Sequence, residues 1–338
     1  MKSFTRILKW IGISIGTLLT LIILAGLAFR VFGPEPHEPM GKLIDIGGFK
    51  LHIQATGEKS QLPTLVIEGG AGSSSEYYHW MSEGLKKHLR VIRYDRAGIG
   101  YSDESNTPRT PKTIARELHR LLEKAGETPP YILAGHSMGG PYIRVFAQLY
   151  PKEVAGMVFL DATHPQQVER GNAPKQSSFK YKAVIRIYQA MALLGDLGVI
   201  GLYDHLFGPL LSGEGLPDQV NDRITDLLLD GKLARTYAKE IGQYHITLKQ
   251  AGEANQFGAI PIRVFTAVAI NQEAYRAASL DPEKQLAKTI EMQKEYTQLS
   301  TSGKQILVDG NHSSIFTKKK NAEIINREII QLVQALKK

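Results

Sequence analysis

The chain of 338 residues is long enough for one large core or two modest ones, and its 43% hydrophobic and 22% charged content is that of a folded chain, not a disordered one. It holds no cysteine, which excludes disulfides, thiolate catalysis and cysteine-bound zinc while leaving the compartment open. The net charge of +8 is scattered apart from Lys318-Lys319-Lys320 and a terminal pair; with no zinc-finger, RNA-recognition or basic-zipper pattern it reads as a solvated surface, and no nucleic-acid partner is expected.

Residues 10–29 carry no charge and are rich in Ile and Leu. As a helix they would span about 30 Å, the thickness of a bilayer's hydrocarbon core. Lys2, Arg6 and Lys9 precede the stretch and only Arg30 follows closely, so the positive-inside rule keeps the N-terminal tip cytoplasmic and puts the remainder outside. A cleaved signal peptide, with Gly26 and Ala28 before the cut, is the alternative; the apolar run is longer than the usual signal core of about 7–15 residues, which favours a retained single-pass anchor. The expected organisation is an anchor over 1–32, a proline-rich linker over 33–40, a first core part over 41–162, a helical cap over 163–259 and a second core part over 260–338.

Past the linker, short apolar runs alternate with amphipathic segments, which predicts an α/β fold with a mostly parallel central sheet. Residues 42–46 and 49–54 form an opening hairpin, 64–67 a buried strand before Glu68-Gly69-Gly70-Ala71-Gly72, 75–88 a helix and 91–94 the next strand. Ile114, Leu118, Leu121, Leu122 and Ala125 recur at helical spacing. Residues 131–134 read as a strand running into Gly135-His136-Ser137-Met138-Gly139, a sharp strand-to-helix turn that presents a serine, with a helix after it. A strand follows over 156–160. Helical patterns then occupy 179–194, 220–229 and 233–249, and strands resume at 260–268 and 304–308 before a closing helix over 322–336.

Taken in order, the glycine-rich loop after the strand at 64–67, the run Tyr94-Asp95-Arg96-Ala97-Gly98-Ile99-Gly100-Tyr101-Ser102-Asp103, the turn at Ser137 and a late Asp309-Gly310-Asn311-His312-Ser313-Ser314 resemble the α/β-hydrolase family from about residue 41 onward. The resemblance implies that fold, with the 163–259 insertion as a cap over the active site. It implies Ser137 as nucleophile and His312, in the loop after the last strand, as the base a serine hydroxyl needs. His136 and His164 are rivals for that role by sequence proximity. The acid that orients the histidine is expected at Asp161, a place some members use; Glu273 is the alternative, because Ala269-Ile270-Asn271-Gln272-Glu273 offers no aspartate at the commoner place. The oxyanion hole is expected from the backbone N–H groups of Met138 and Gly70, with Glu68 standing where the family often has His. Asp95 and Arg96 are expected to brace these loops and not to touch substrate.

The expected activity is ester cleavage through an acyl-enzyme on a small-molecule or lipid ester, with amide or aminopeptidase cleavage, or a non-catalytic binding protein, as alternatives. A serine nucleophile argues against the aspartate chemistry of dehalogenases and epoxide hydrolases in this fold. No cofactor and no metal site is expected, since neither metal-ligand spacing nor a nucleotide fingerprint is present.

Overall fold

The computed structural model describes residues 2–337. In chain order the elements are α1 (Lys2–Phe32), β1 (Lys42–Asp45), β2 (Lys50–Thr56), β3 (Thr64–Glu68), α2 (His79–Leu85), β4 (Val91–Tyr94), α3 (Pro111–Lys124), β5 (Tyr131–His136), α4 (Gly139–Leu149) and β6 (Val154–Leu160). There follow α5 (Phe179–Asp196), α6 (Val199–Phe207), α7 (Asp218–Thr225), α8 (Lys232–Gly242), α9 (Tyr244–Glu253), β7 (Ile262–Ala267), α10 (Gln272–Ala277), α11 (Pro282–Lys294), β8 (Gly303–Val308), α12 (Ser314–Thr317) and α13 (Lys319–Ala335).

The strands form one eight-stranded sheet in the order β1-β2-β4-β3-β5-β6-β7-β8. The β1–β2 and β2–β4 pairs are antiparallel, and every other pair is parallel. Parallel strands covered on both faces need apolar side chains at every position, which is why they read as continuous runs. Along β3, Val66 packs on one face with Ile143 and Phe146 of α4, while Leu65 and Ile67 pack on the other with Met81 of α2 and Ile329 of α13. Each such fully buried aliphatic side chain contributes about 1.5–3 kcal/mol.

The chain lays β4 on one side of β3, then crosses to β5 on the other and continues outward. That reversal sets the loops leaving the carboxyl ends of β3 and β5 side by side, where open parallel sheets form their ligand crevices. The glycine-rich loop and the turn at Ser137 are those two loops.

Several sequence expectations need correction. The helix expected over 75–88 is a 3₁₀ turn over Ser75–Tyr78 followed by α2, which ends at Leu85. The helix expected over 220–229 is α7 with a 3₁₀ turn over Asp226–Leu228. The segment 233–249 is two helices broken at Gln243, after Gly242. Helix α6 was not expected, nor was α11, although Asp281 caps α11 by accepting from the N–H groups of Glu283 and Lys284 and Pro282 opens it. Above the crevice α5 packs on α8 and α6, whereas α9 packs on α3 and α4 of the core. Helix α1 packs on α6.

Candidate active site

Ser137 follows β5 directly and takes φ +51°, a left-handed conformation that costs a non-glycine residue about 1–2 kcal/mol. Hydrogen bonds hold it there: its N–H donates to the Leu160 carbonyl (3.2 Å), and its own carbonyl accepts from Gly140 (3.1 Å) and Thr163 (2.9 Å). Two glycines make the bend sterically possible. A Cβ on Gly135 would lie 2.5 Å from the Gly139 carbonyl oxygen, and one on Gly139 would lie 2.3 Å from that of Glu68. The serine is thereby raised above the sheet, with the Met138 N–H at the open N-terminal end of α4, where helix N–H groups lack intrahelical acceptors.

His312 lies in the loop between β8 and α12. Asn311 Oδ1 accepts from the N–H groups of Ser313 (3.1 Å) and Ser314 (2.9 Å), and Asn321 Nδ2 donates to the carbonyls of Asp309 and Ser314 (3.0 Å each). With its backbone so pinned, the His312 ring remains 52% exposed and places Nδ1 2.6 Å from Asp161 Oδ2. Asp161, immediately after β6, has φ +42°; its Oδ1 accepts from Gln293 Nε2 (2.7 Å) and from the Ala267 N–H (3.2 Å). Burial pushes this carboxyl up, but the His312 hydrogen bond and charge, with the Gln293 and Ala267 donors, outweigh burial and hold it below the ordinary carboxylate range. Glu273 lies exposed on α10, with no ion pair to His312 among the described residues. Ser137 Oγ makes no hydrogen bond to His312 among the described residues.

His136, one of the rivals, is buried between these groups. Its ring centroid lies 4.5 Å from that of His312, its Nε2 is 3.0 Å from the His312 carbonyl and its Nδ1 3.1 Å from the Tyr78 hydroxyl. Burial, reinforced by the His312 charge, pushes it well below the usual histidine range, so it is neutral. A carbonyl only accepts, so Nε2 carries the proton and Nδ1 accepts from Tyr78. The Tyr78 oxygen in turn accepts from the Gly70 N–H at 3.1 Å. The Gly70 N–H, expected in the oxyanion hole, thus donates to Tyr78 as folded. His164 pairs instead with Glu295, its Nε2 3.3 Å from the carboxylate, and burial chiefly pushes it down to about 4.

The glycine-rich loop is braced by Arg96, as expected, but by a network that local sequence could not reveal. The Arg96 guanidinium donates to Glu68 (2.6 Å), to the carbonyls of Gly69 and Gly70 (2.7 Å each) and to Glu240 of α8 (2.8 Å), and Glu240 also accepts from the Gly72 N–H (3.1 Å). Tyr94 donates to the other Glu68 oxygen. Asp95 accepts from His52 (2.8 Å) and from the N–H groups of Ser75 (2.7 Å) and Tyr101 (3.3 Å). A cavity of about 430 Å³ extends from His136, Asn311 and Ser313 up to the cap, where Met191, Ile200 and Leu211 help to wall it.

A profile of the alpha/beta hydrolase fold matches residues 63–192. An esterase from Exiguobacterium antarcticum superposes with a TM-score of 0.61 at 14% identity, over 87% of this chain and 100% of that one. This chain has the α/β-hydrolase fold. Among curated proteins with sequence similarity, the uncharacterized protein YbdG of Bacillus subtilis strain 168 is 30% identical over 49% of this chain and 53% of its own length. A proline iminopeptidase of Lactobacillus delbrueckii subsp. bulgaricus is 30% identical over 36% of this chain and 43% of its own length. The chain thus spans about half, or less, of the curated relatives it matches. Within the α/β-hydrolase fold, Ser137 and His312 occupy the turn after β5 and the loop after β8, and residues of α5, α6 and α8 wall the cavity that reaches His136 and Asn311.

Proposed function

We propose that this protein is a membrane-tethered serine hydrolase that cleaves carboxylic esters. The observation that carries the reading is the Asp161–His312 hydrogen bond beside a serine held at positive φ. In the proposed reaction His312 Nε2 takes the Ser137 proton as Oγ attacks the ester carbonyl. Asp161 fixes the imidazole so that Nδ1 keeps its hydrogen and stabilises the imidazolium. The Met138 N–H meets the developing oxyanion, and the Gly70 N–H joins it by exchanging its Tyr78 partner. Collapse expels the alcohol with the proton from His312. Water, deprotonated by the same base, then attacks the acyl-enzyme and releases the acid.

Amide cleavage is the second reading, favoured by the iminopeptidase similarity and by Glu214 and Asp230 at the cavity, two carboxylates able to hold a substrate ammonium. Glu214 is paired with Lys318 at 2.5 Å and the cavity walls are largely apolar, which supports the ester reading. A panel of acyl esters and aminoacyl amides tests the choice, with mass spectrometry of the quenched enzyme to locate the acyl group. Ester turnover with acylation at Ser137 is the expected result; turnover of aminoacyl amides alone overturns the ester reading, and the absence of any acylated serine overturns both.

Among the described residues, one N-terminal helix is long and apolar enough to cross a membrane. Its retention is supported by packing that a cleaved signal would not need. Gly26 sits so close to the start of α6 that a Cβ on Gly198 would lie 2.1 Å from its carbonyl oxygen. Phe29 lies 5.4 Å from the His205 ring, and Arg30 donates to the Asp196 carbonyl at 2.5 Å. The basic residues ahead of the span support a cytoplasmic tip and an external hydrolase domain.

A further inference from the structure

The contact between α1 and the cap fixes a depth. If residues 10–29 cross the hydrocarbon, Gly26 lies roughly 4–5 Å below its outer edge at 1.5 Å per residue. The chain that packs on Gly26 and Phe29, from Leu197 to His205, is then at the level of the outer leaflet and not in free solvent. The free surface of α6 suits that position. Leu206 is 61% and Phe207 73% exposed, Tyr203 lies 4.9 Å from the Phe207 ring and is exposed, as is Leu210 just past the helix, and Leu193 is exposed near the end of α5. Four large exposed apolar side chains on and just past one short helix are more than the scattered singles a soluble surface carries.

Helix α6 also forms a wall of the cavity. Gly201 and His205 face α1, Ile200 lines the cavity, and Tyr203 and Phe207 continue the Ile200 side of the helix, three and seven residues on, out to the apolar surface. After α6 the chain repeats the pattern, with Leu210 exposed and Leu211 lining the cavity. Exposed apolar side chains of α6 and the segment after it thus adjoin, along the chain, the residues Ile200 and Leu211 that wall the cavity. We propose that α6 and the end of α5 seat the cap in the outer leaflet, and that the cavity draws from it an ester with a long acyl chain. The occupant of this face is the lipid bilayer, because the face is continuous with the anchor and at its depth. The proposal rests on the reading of α1 as a retained anchor, and it names the substrate class of the proposed hydrolase.

The absence of cysteine makes single-cysteine spin labelling specific. The full chain is placed in phosphatidylcholine–phosphatidylglycerol vesicles with labels, one at a time, at Leu18→Cys in α1, Leu206→Cys and Phe207→Cys in α6 and Lys152→Cys on the far surface. Power saturation compares access to oxygen, which concentrates in lipid, with access to a water-soluble nickel chelate. Labels at 18, 206 and 207 should be oxygen-accessible and the label at 152 nickel-accessible. A lipid signal at 18 with aqueous signals at 206 and 207 overturns this proposal and leaves the anchor standing; an aqueous signal at 18 removes the anchor reading and the proposal with it. Dipolar broadening between labels at 207 shows a second copy on the face and also overturns it. In parallel, the Leu206→Glu and Phe207→Glu double variant should lose about tenfold or more of its rate on a long-chain ester embedded in vesicles while remaining within about twofold on a soluble short-chain ester. Equal loss on both substrates, or none on the embedded one, counts against delivery from the leaflet.

Discussion

Asp161→Asn isolates the charge and hydrogen-bond polarity of one group with little change in shape. Asparagine tolerates the left-handed backbone at φ +42°, so the loop after β6 should stay in place. The donors Gln293 Nε2 at 2.7 Å and Ala267 N–H at 3.2 Å hold the amide oxygen where Oδ1 now sits, which turns the new NH₂ group toward His312 Nδ1. A donor there forces Nδ1 to accept and moves the imidazole proton to Nε2, the nitrogen that in the proposed reaction takes the proton from Ser137. The 2.6 Å hydrogen bond to a carboxylate is lost in the same step. A loss of about 10⁴ in kcat is expected, as for the same exchange in serine-protease triads. That corresponds to about 5 kcal/mol of transition-state stabilisation at about 1.4 kcal/mol per decade. The assay is steady-state hydrolysis of a soluble short-chain ester at neutral pH, with circular dichroism to show that the fold persists. Glu273→Gln serves as the comparison and should stay within about twofold, as for exposed positions away from a site. A well-folded Asp161→Asn variant that keeps more than a tenth of the wild-type kcat, or a Glu273→Gln variant that loses as much, refutes the assignment of the acid.

His164 is pushed down to about 4 from 6.5, so the unfolded chain binds its proton more tightly than the folded one does. Its contribution to stability is therefore complete above pH 6.5 and drains as pH falls toward 4; His164→Gln should flatten Tm against pH across that window, and an unchanged slope counts against the mechanism. Asp161 has the ordinary carboxylate sign, with stability present above its unfolded value of about 3.9 and lost as pH falls below it, so Asp161→Asn should lessen acid destabilisation only at the lower end. Glu240→Ala leaves Arg96 buried with one of its two carboxylate partners removed, and urea unfolding should show a loss of about 3–5 kcal/mol; less than 1 kcal/mol would mean that the cap holds the loop by other contacts. Gly139→Ala puts a Cβ 2.3 Å from the Glu68 carbonyl oxygen and should lower both Tm and activity, by about 1–3 kcal/mol in stability if the loops part without unfolding. Normal Tm and activity in that variant would show that the loops are less closely apposed.

The strands were legible because parallel strands buried on both faces write themselves as apolar runs, and the turn at Ser137 because its glycines answer to steric need within five residues. Helix α6 was not, since Val199–Phe207 is apolar around most of its circumference and lacks the polar stripe that marks a surface helix. Packing on α1 accounts for Gly201 and His205 and the cavity for Ile200, while Tyr203, Leu206 and Phe207 stay exposed. The choice between Asp161 and Glu273 is spatial: β6 pairs with β7 so that Leu160 lies opposite Phe265, which sets Asp161 against Ala267, while α10 carries Glu273 outward. Glu68 stands where the family often has His, and what supports its loop is not local. Its partners stand 28 and 26 positions away at Arg96 and Tyr94, and Arg96 meets Glu240 a further 144 positions on, a separation that no local pattern bridges. The engagement of the Gly70 N–H by Tyr78 was hidden for the same reason, because the 3₁₀ turn that brings the hydroxyl back over the loop leaves no periodic signature.

The first measurement is fluorophosphonate labelling of the full-length protein in mild detergent, beside a Ser137→Ala variant of equal thermal stability. A serine activated by His312 should be labelled stoichiometrically at Ser137 in the wild type, with no label on the variant. A stably folded wild type that takes no label, or a label that survives in Ser137→Ala, contradicts the assignment of Ser137 as the nucleophile.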